Sequence, residues 1–104
     1  MIARFWRGVV EESKADEFFS FMLQTGVKAL QATKGNQGVL VLRRSSEGHV
    51  EFVLISLWES FDAIKRFAGE DVEKAVYFPE DKDFLIKPES KVRHYEVLYK
   101  CKNQ

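Results

Sequence analysis

The chain has 104 residues, 45% of them hydrophobic and 31% charged, and 16 basic residues balance 16 acidic ones. That length fits one domain, residues 1–104, able to remove roughly 65% of its unfolded surface from water without staples. Zero net charge leaves no field to gather nucleic acid or an anionic membrane, and the longest apolar run, FVLISLW, is far too short to span a bilayer.

Residues 2–10, IARFWRGVV, are rich in β-branched and aromatic residues and predict a strand. Ser13 is placed as a helix N-cap, with Asp16 three residues on completing a weak capping box. From there Ala15, Phe18, Phe19, Met22, Leu23, Val27 and Leu30 step by threes and fours, the spacing of an amphipathic helix, and Gly26 is a point where it bends or ends. TKGNQG reads as a loop, VLVLRR as a strand, SSEG as a tight turn and HVEFVLISLW as the returning strand of a hairpin. Ser60 then caps a second helix with Ala63, Ile64, Phe67 and Ala68 on one face, and Gly69 suits its C-terminal stop. A short helical piece over 72–76 is expected before Pro79, and KVRHYEVLYK is the last strand. The order is β-α-β-β-α-β: an α+β, ferredoxin-like fold with two helices on one face of a four-stranded antiparallel sheet.

A sheet covered on one face should alternate apolar and polar residues. The third strand does not: Val50, Phe52, Leu54, Ser56 and Trp58 share one face, and Glu51, Val53, Ile55 and Leu57 the other. Helices cover one side only, so a second copy of the chain is expected on the other, giving a homodimer.

Cys101 is the only cysteine, which excludes an internal disulfide, and no Cys/His cluster has the spacing of a zinc site, so no metal is expected. MIARFWRGVV lacks the apolar core and small-residue cleavage site of a signal peptide, and the expected location is cytoplasmic.

The stretch LWESFDAIKRFAGEDVEKAVYFPED has an apolar strand ending in Trp58, a Glu-Ser turn, then FDAIKRFAG and a further helical piece. It resembles the antibiotic biosynthesis monooxygenase family, and the resemblance covers nearly the whole chain. It implies a dimeric α/β barrel in which two sheets face one another and each protomer has a pocket between helices and sheet. Relatives include cofactor-free oxygenases acting on aromatic polyketides, haem-degrading enzymes, a quinol oxygenase and small proteins without an assigned role. The haem-degrading branch uses a first-strand Asn, a second-helix Trp and an iron-binding His ten residues after it. Aligned on Trp58, those positions fall near Arg7, on Phe67 and on Tyr77, and none is preserved. The resemblance therefore implies a small cofactor-independent monooxygenase acting on an aromatic phenol, quinol or polyketide-like substrate. The alternative is a non-catalytic homodimer that binds a small molecule, with haem binding third.

Three residues are candidates for the chemistry. Tyr77 can donate a hydrogen bond to a substrate carbonyl or phenolate, and packing beneath a helix end accounts for it equally well. His94 titrates near neutral pH, as a base for a phenol must, with Glu96 on the same strand face to hold it charged; a cross-strand polar role competes. Arg4 and Arg7 lie on opposite faces of the first strand; Trp6 shares the face of Arg4, and Arg7 is the pocket candidate because the resemblance puts a polar residue near it. Trp6, Trp58, Phe67 and Phe78 form candidate walls for a flat ring, although each is accounted for singly by core or interface packing. The PEDKD charges read as a solvated loop.

Overall fold

The structure, a computed structural model, describes residues 1–101. Four strands, β1 (Ile2–Glu11), β2 (Asn36–Ser46), β3 (His49–Trp58) and β4 (Arg93–Glu96), form one antiparallel sheet in the order β2-β3-β1-β4. Helices α1 (Ala15–Met22), α2 (Lys28–Ala32) and α3 (Phe61–Ala68) belong to the two crossovers. The ferredoxin-like arrangement expected from the element order is present.

The hairpin turn is shorter than SSEG. Ser45 and Ser46 still pair with Val50 and His49, leaving Glu47 and Gly48, both at positive φ, as the two-residue loop that suits the twist of a hairpin. Likewise β2 begins inside TKGNQG, at Asn36, whose side-chain oxygen accepts from the Gly38 N–H across a bulge.

The first helical stretch departs from expectation at both ends of its first half. Ser13 is not its N-cap: Glu12–Lys14 form a 3₁₀ turn, α1 starts at Ala15, and Asp16 accepts from Arg43 instead of closing a capping box. Around Gly26 the helix neither stops nor kinks but widens into a π-helical turn, Leu23–Val27, before α2 continues. The Thr25 hydroxyl donates to the Phe21 carbonyl, which supplies that carbonyl with a partner at the widened turn.

Both ends of α3 form as the sequence predicts. The Ser60 side chain accepts from the Ala63 N–H, and Gly69, at φ 85, closes the helix with its N–H on the Lys65 carbonyl. The helix expected over 72–76 is absent. Ala75 and Val92 donate to the carbonyls of Ser90 and Glu73, pinning this segment as an extended bridge, while the carbonyls of Val72 and Lys74 are taken by Arg4. The last strand is shorter than KVRHYEVLYK because its partner runs out: Ile2 pairs with Glu96, and only the Val97 N–H reaches further, to Met1.

Alternation along β1 and β3 builds the core. Val10, Val50 and Phe52 pack with Phe18 and Met22 of α1 and Leu85, and Trp58 packs with Leu30, Ala63 and Ile64. The other sheet face carries Phe5, Leu40, Leu42, Val53, Ile55, Leu57 and Tyr95. Among the described residues no helix covers it, and Leu40, Leu42 and Tyr95 remain 55%, 47% and 51% exposed.

Candidate functional site

Between the sheet and its helices lies a narrow cleft with a free volume of about 40 Å³. Its floor is the inner face of β1 and β3, with Arg4, Trp6, Leu54 and Ser56. Phe18 and Met22 of α1, Thr25 and Gly26 of the π-helical turn and Leu30 of α2 form one wall. Phe67 of α3, with Val76, Phe78 and Asp81, forms the rest. The lining is apolar but for a few polar groups, and only Arg4 and Asp81 ionise near neutral pH.

Arg4 is 3% exposed. Its guanidinium donates to the carbonyls of Val72 and Lys74, lies 3.0 Å from His94 Nε2, and stands 5.7 Å from the centre of the Phe67 ring. No carboxylate pairs with it among the described residues. Burial pulls its pKa down to about 10, so it remains a cation at neutral pH. A cation desolvated this far and held only by neutral dipoles attracts an anion strongly.

Asp81 is 8% exposed and sits in the 3₁₀ turn Pro79–Asp83. Its Oδ2 accepts from the Phe78 N–H at 2.7 Å, and Oδ1 carries no hydrogen bond. Burial pushes its pKa above the ordinary aspartate value; the Phe78 N–H opposes this and Glu80 adds to it.

The residues singled out in the sequence are placed as follows. Trp6, Phe67 and Phe78 line the cleft. Trp58 does not: it is fully buried behind Phe67, ring centroids 6.2 Å apart, with its indole N–H on Ser56 Oγ at 2.8 Å. Tyr77 stands beside the cleft, edge-on to Trp6 at 6.2 Å, and its hydroxyl donates to the Glu89 carbonyl. Burial raises its pKa above the ordinary phenol value, the Trp6 indole opposing and Glu89 and Asp81 adding, so it stays protonated at neutral pH.

His94 lies on β4 directly opposite Arg4 and does not line the cleft. It is not held charged by Glu96. Burial, then the Arg4 charge, keep its pKa below the ordinary value against the pull of Glu73. Arg7 is not the pocket arginine: it points to the other side of the sheet, where it pairs with Glu51 and, at 3.1 Å, Glu89. Arg4 takes the place expected of it. The alternation that puts Arg4 on the face of Trp6 was the available signal for this. Asp81, inside PEDKD, had none.

Gly8 governs how the floor is laid. A Cβ there would fall 2.4 Å from Trp6 Cη2 and 2.8 Å from Leu85, so only glycine lets the indole lie flat over the strand.

No known family profile matches the chain, and no curated protein sequence matches it. Solved structures do. A provisionally named antibiotic biosynthesis monooxygenase from Bacillus cereus is 18% identical with TM-score 0.67, the match covering 98% of this chain and 97% of that one. One so named from Nitrosomonas europaea is 18% identical with TM-score 0.66, covering 95% and 100%. A mutant of MhuD with two manganese protoporphyrin IX molecules bound per active site is 14% identical with TM-score 0.62, covering 99% and 100%. The protomer fold is therefore the one that the resemblance implied. A porphyrin does not suit this cleft: no His, Cys or Tyr lines it to ligate an iron, and the position aligned with the relatives' iron-binding histidine, Tyr77, commits its hydroxyl to Glu89. Among the described residues no three His, Cys, Asp or Glu side chains gather as a metal site, and no helix is long and apolar enough to cross a membrane.

Proposed function

We propose that the protein is a small cofactor-independent monooxygenase that acts on an ionisable aromatic, a phenol, quinol or polyketide-like ring. The observation that carries this is Arg4: a buried guanidinium without a carboxylate, on the floor of a cleft walled by Trp6, Phe67 and Phe78. Aromatic walls suit a flat ring, and its oxygen, once ionised, supplies the negative charge that Arg4 lacks.

Ionisation pushes electron density onto the ring carbons, and such a carbanion reduces dioxygen directly. When a ring methylene becomes a carbonyl, one oxygen atom enters the substrate and the other leaves as water. The four electrons come from the substrate, so the balance needs no bound redox group. The protein's share is orientation, exclusion of water and stabilisation of the oxyanion. In this reading Arg4 holds the oxyanion, His94 positions Arg4, and Tyr77 braces the Trp6 indole. Arg7, on the other sheet face, belongs to the rim of the interface in a cytoplasmic homodimer formed through the uncovered apolar surface.

Oxygen uptake with a panel of anthrones and hydroquinones tests the reading. Saturable uptake, reduced at least about 100-fold in Arg4→Met, is expected; no uptake from any member rejects it. A second reading, a non-catalytic homodimer that stores an aromatic acid, is favoured by the same unpaired cation, and tight binding without uptake would select it.

A further inference from the structure

Three polar side chains form one row across the sheet at the floor of the cleft. Ser56 of β3 and His94 of β4 lie directly opposite Arg4 of β1, one on each side of it. Arg4 and Ser56 line the cleft and are 3% and 2% exposed.

A guanidinium has five N–H donors, and the fold spends only part of the set on Arg4. Nη1 gives its hydrogens to the Val72 carbonyl and His94 Nε2, and Nη2 gives one to the Lys74 carbonyl. The Nε–H and the second N–H of Nη2 meet no acceptor among the described residues. Nε and Nη2 make one edge of the guanidinium plane, and N–H groups on such an edge match the two oxygens of a carboxylate. Ser56 also has a donor to spare. Its oxygen accepts from the Trp58 indole at 2.8 Å, and its own hydrogen has no acceptor among the described residues. Buried donors are ordinarily paired, so this floor fits an acceptor that the chain itself does not supply. Asp81 is not that acceptor. It forms no ion pair with Arg4, and its pKa responds to burial, the Phe78 N–H and Glu80, not to the guanidinium.

Size narrows the class of ligand. The free volume of about 40 Å³ holds roughly three water-sized groups. An aromatic ring needs the walls to part, whereas formate or acetate takes the cleft as it stands. Phe18, Met22, Leu30, Leu54 and Phe67 leave those walls apolar, which suits one anionic group and at most a methyl. Water excluded by such walls no longer screens Arg4 from an anion.

We infer that the cleft in this shape is a binding site for a small planar oxyanion of the formate and acetate class, held by the free edge of Arg4 and the Ser56 hydroxyl. The Val72 and Lys74 carbonyls fix the guanidinium before the ligand arrives, so little order has to be created on binding. The inference shares Arg4 with the oxygenase reading but does not rest on it: the small anion occupies the closed cleft and competes with an aromatic for the same cation.

Binding is followed through the Arg4 Nε–H signal in ¹H–¹⁵N spectra while sodium formate, acetate, chloride and benzoate are each titrated at constant ionic strength. Formate and acetate are expected to shift the signal saturably, with half-saturation at about 1 mM, within the ceiling for so few atoms. Chloride offers no pair of oxygens and benzoate must part the walls, so both are expected to bind at least about 10-fold more weakly. By titration calorimetry, acetate affinity is expected to fall at least about 10-fold in Arg4→Lys, which keeps the charge and loses the planar edge, and by about 3–10-fold in Ser56→Ala. No saturable shift from either carboxylate overturns the inference, as does an Arg4→Lys protein that binds acetate as tightly as wild type. Should Arg4→Lys not fold, chloride bound by wild type as tightly as formate overturns it. Benzoate bound more tightly than acetate also overturns it and favours the aromatic reading, whereas acetate binding with no oxygen uptake from any aromatic supports it and rejects that reading.

Discussion

Arg4 Nη1 and His94 Nε2 lie 3.0 Å apart on adjacent strands, in positions directly opposite one another in the β1/β4 ladder. The guanidinium has only donors to offer, so the imidazole nitrogen must accept, and the ring is neutral with its proton on Nδ1. Protonation would turn an acceptor into a donor and bring two cations together.

The first prediction is a pH dependence of stability. The His94 pKa is lowered in the folded state, so above the unfolded value of about 6.5 the group is neutral in both states and has no effect. As pH falls below about 6.5, the unfolded chain takes up a proton that the folded chain declines, and stability is lost until the pH reaches the folded pKa. In His94→Gln, whose amide oxygen can also accept from Arg4, that loss disappears. Urea midpoints of both proteins from pH 5 to 8 check this. The opposite tendency of Asp81 is common to both and cancels in the difference, and parallel profiles would sink the idea.

Arg4→Met tests what the guanidinium holds. The carbonyls of Val72 and Lys74 lose their side-chain donor, so the variant should be less stable by about 1–3 kcal/mol in urea unfolding. Affinity for an anionic aromatic, read by titration calorimetry, should fall by roughly 10–100-fold, the range for one hydrogen bond to a charged group. Affinity unchanged would mean that the anion binds elsewhere.

Gly26 separates binding from stability. An added Cβ would meet nothing nearer than 4.0 Å, at Leu54 and Phe78 of the cleft. Gly26→Ala should therefore raise stability by up to about 1 kcal/mol through helix propensity and leave ligand binding intact. Gly26→Leu should fill the cleft and abolish binding without lowering the melting temperature. A Gly26→Leu protein that binds normally would show that the ligand does not reach the π-helical turn.

The uncovered sheet face predicts assembly. Ile55 sits at its centre, opposite Leu40 on β2 and Phe5 on β1. Wild type should sediment as a dimer at micromolar concentration and Ile55→Lys as a folded monomer. A monomeric wild type would leave this surface for some other partner.

The legible parts of this chain were those set by local periodicity. The failure of FVLISLW to alternate and the threefold and fourfold steps from Ala15 to Leu30 reflect which faces are covered, so the sheet, its first helical stretch and the bare apolar face are legible. The segment 72–76 is not, because its carbonyls are claimed from 68 and 70 residues away by Arg4 and from further along the chain by Val92. Asp81 was hidden for a related reason: in PEDKD every residue looks solvated, and which one turns inward depends on the Phe78 N–H and the cleft beyond it. Alternation sets Arg4 and Arg7 on opposite faces; the resemblance pointed to Arg7, whereas the cleft lies on the face that Arg4 shares with Trp6.

The π-helical turn has a further meaning as a matter of phase. In a uniform α-helix, residues five apart, such as Met22 and Val27, would point about 140° away from each other. Both are buried. The wide turn between them lets one more residue fit into the circuit, bringing Val27 and Leu30 back onto the side that Phe18 and Met22 already occupy. This stretch therefore carries a constraint on length as well as on composition. Exchange of the exposed Leu23 or Gln24 is tolerable, and loss of one of them would leave Met22 and Val27 four apart, in phase in an ordinary α-helix, whereas one more inserted residue would rotate one half of the helix off the core.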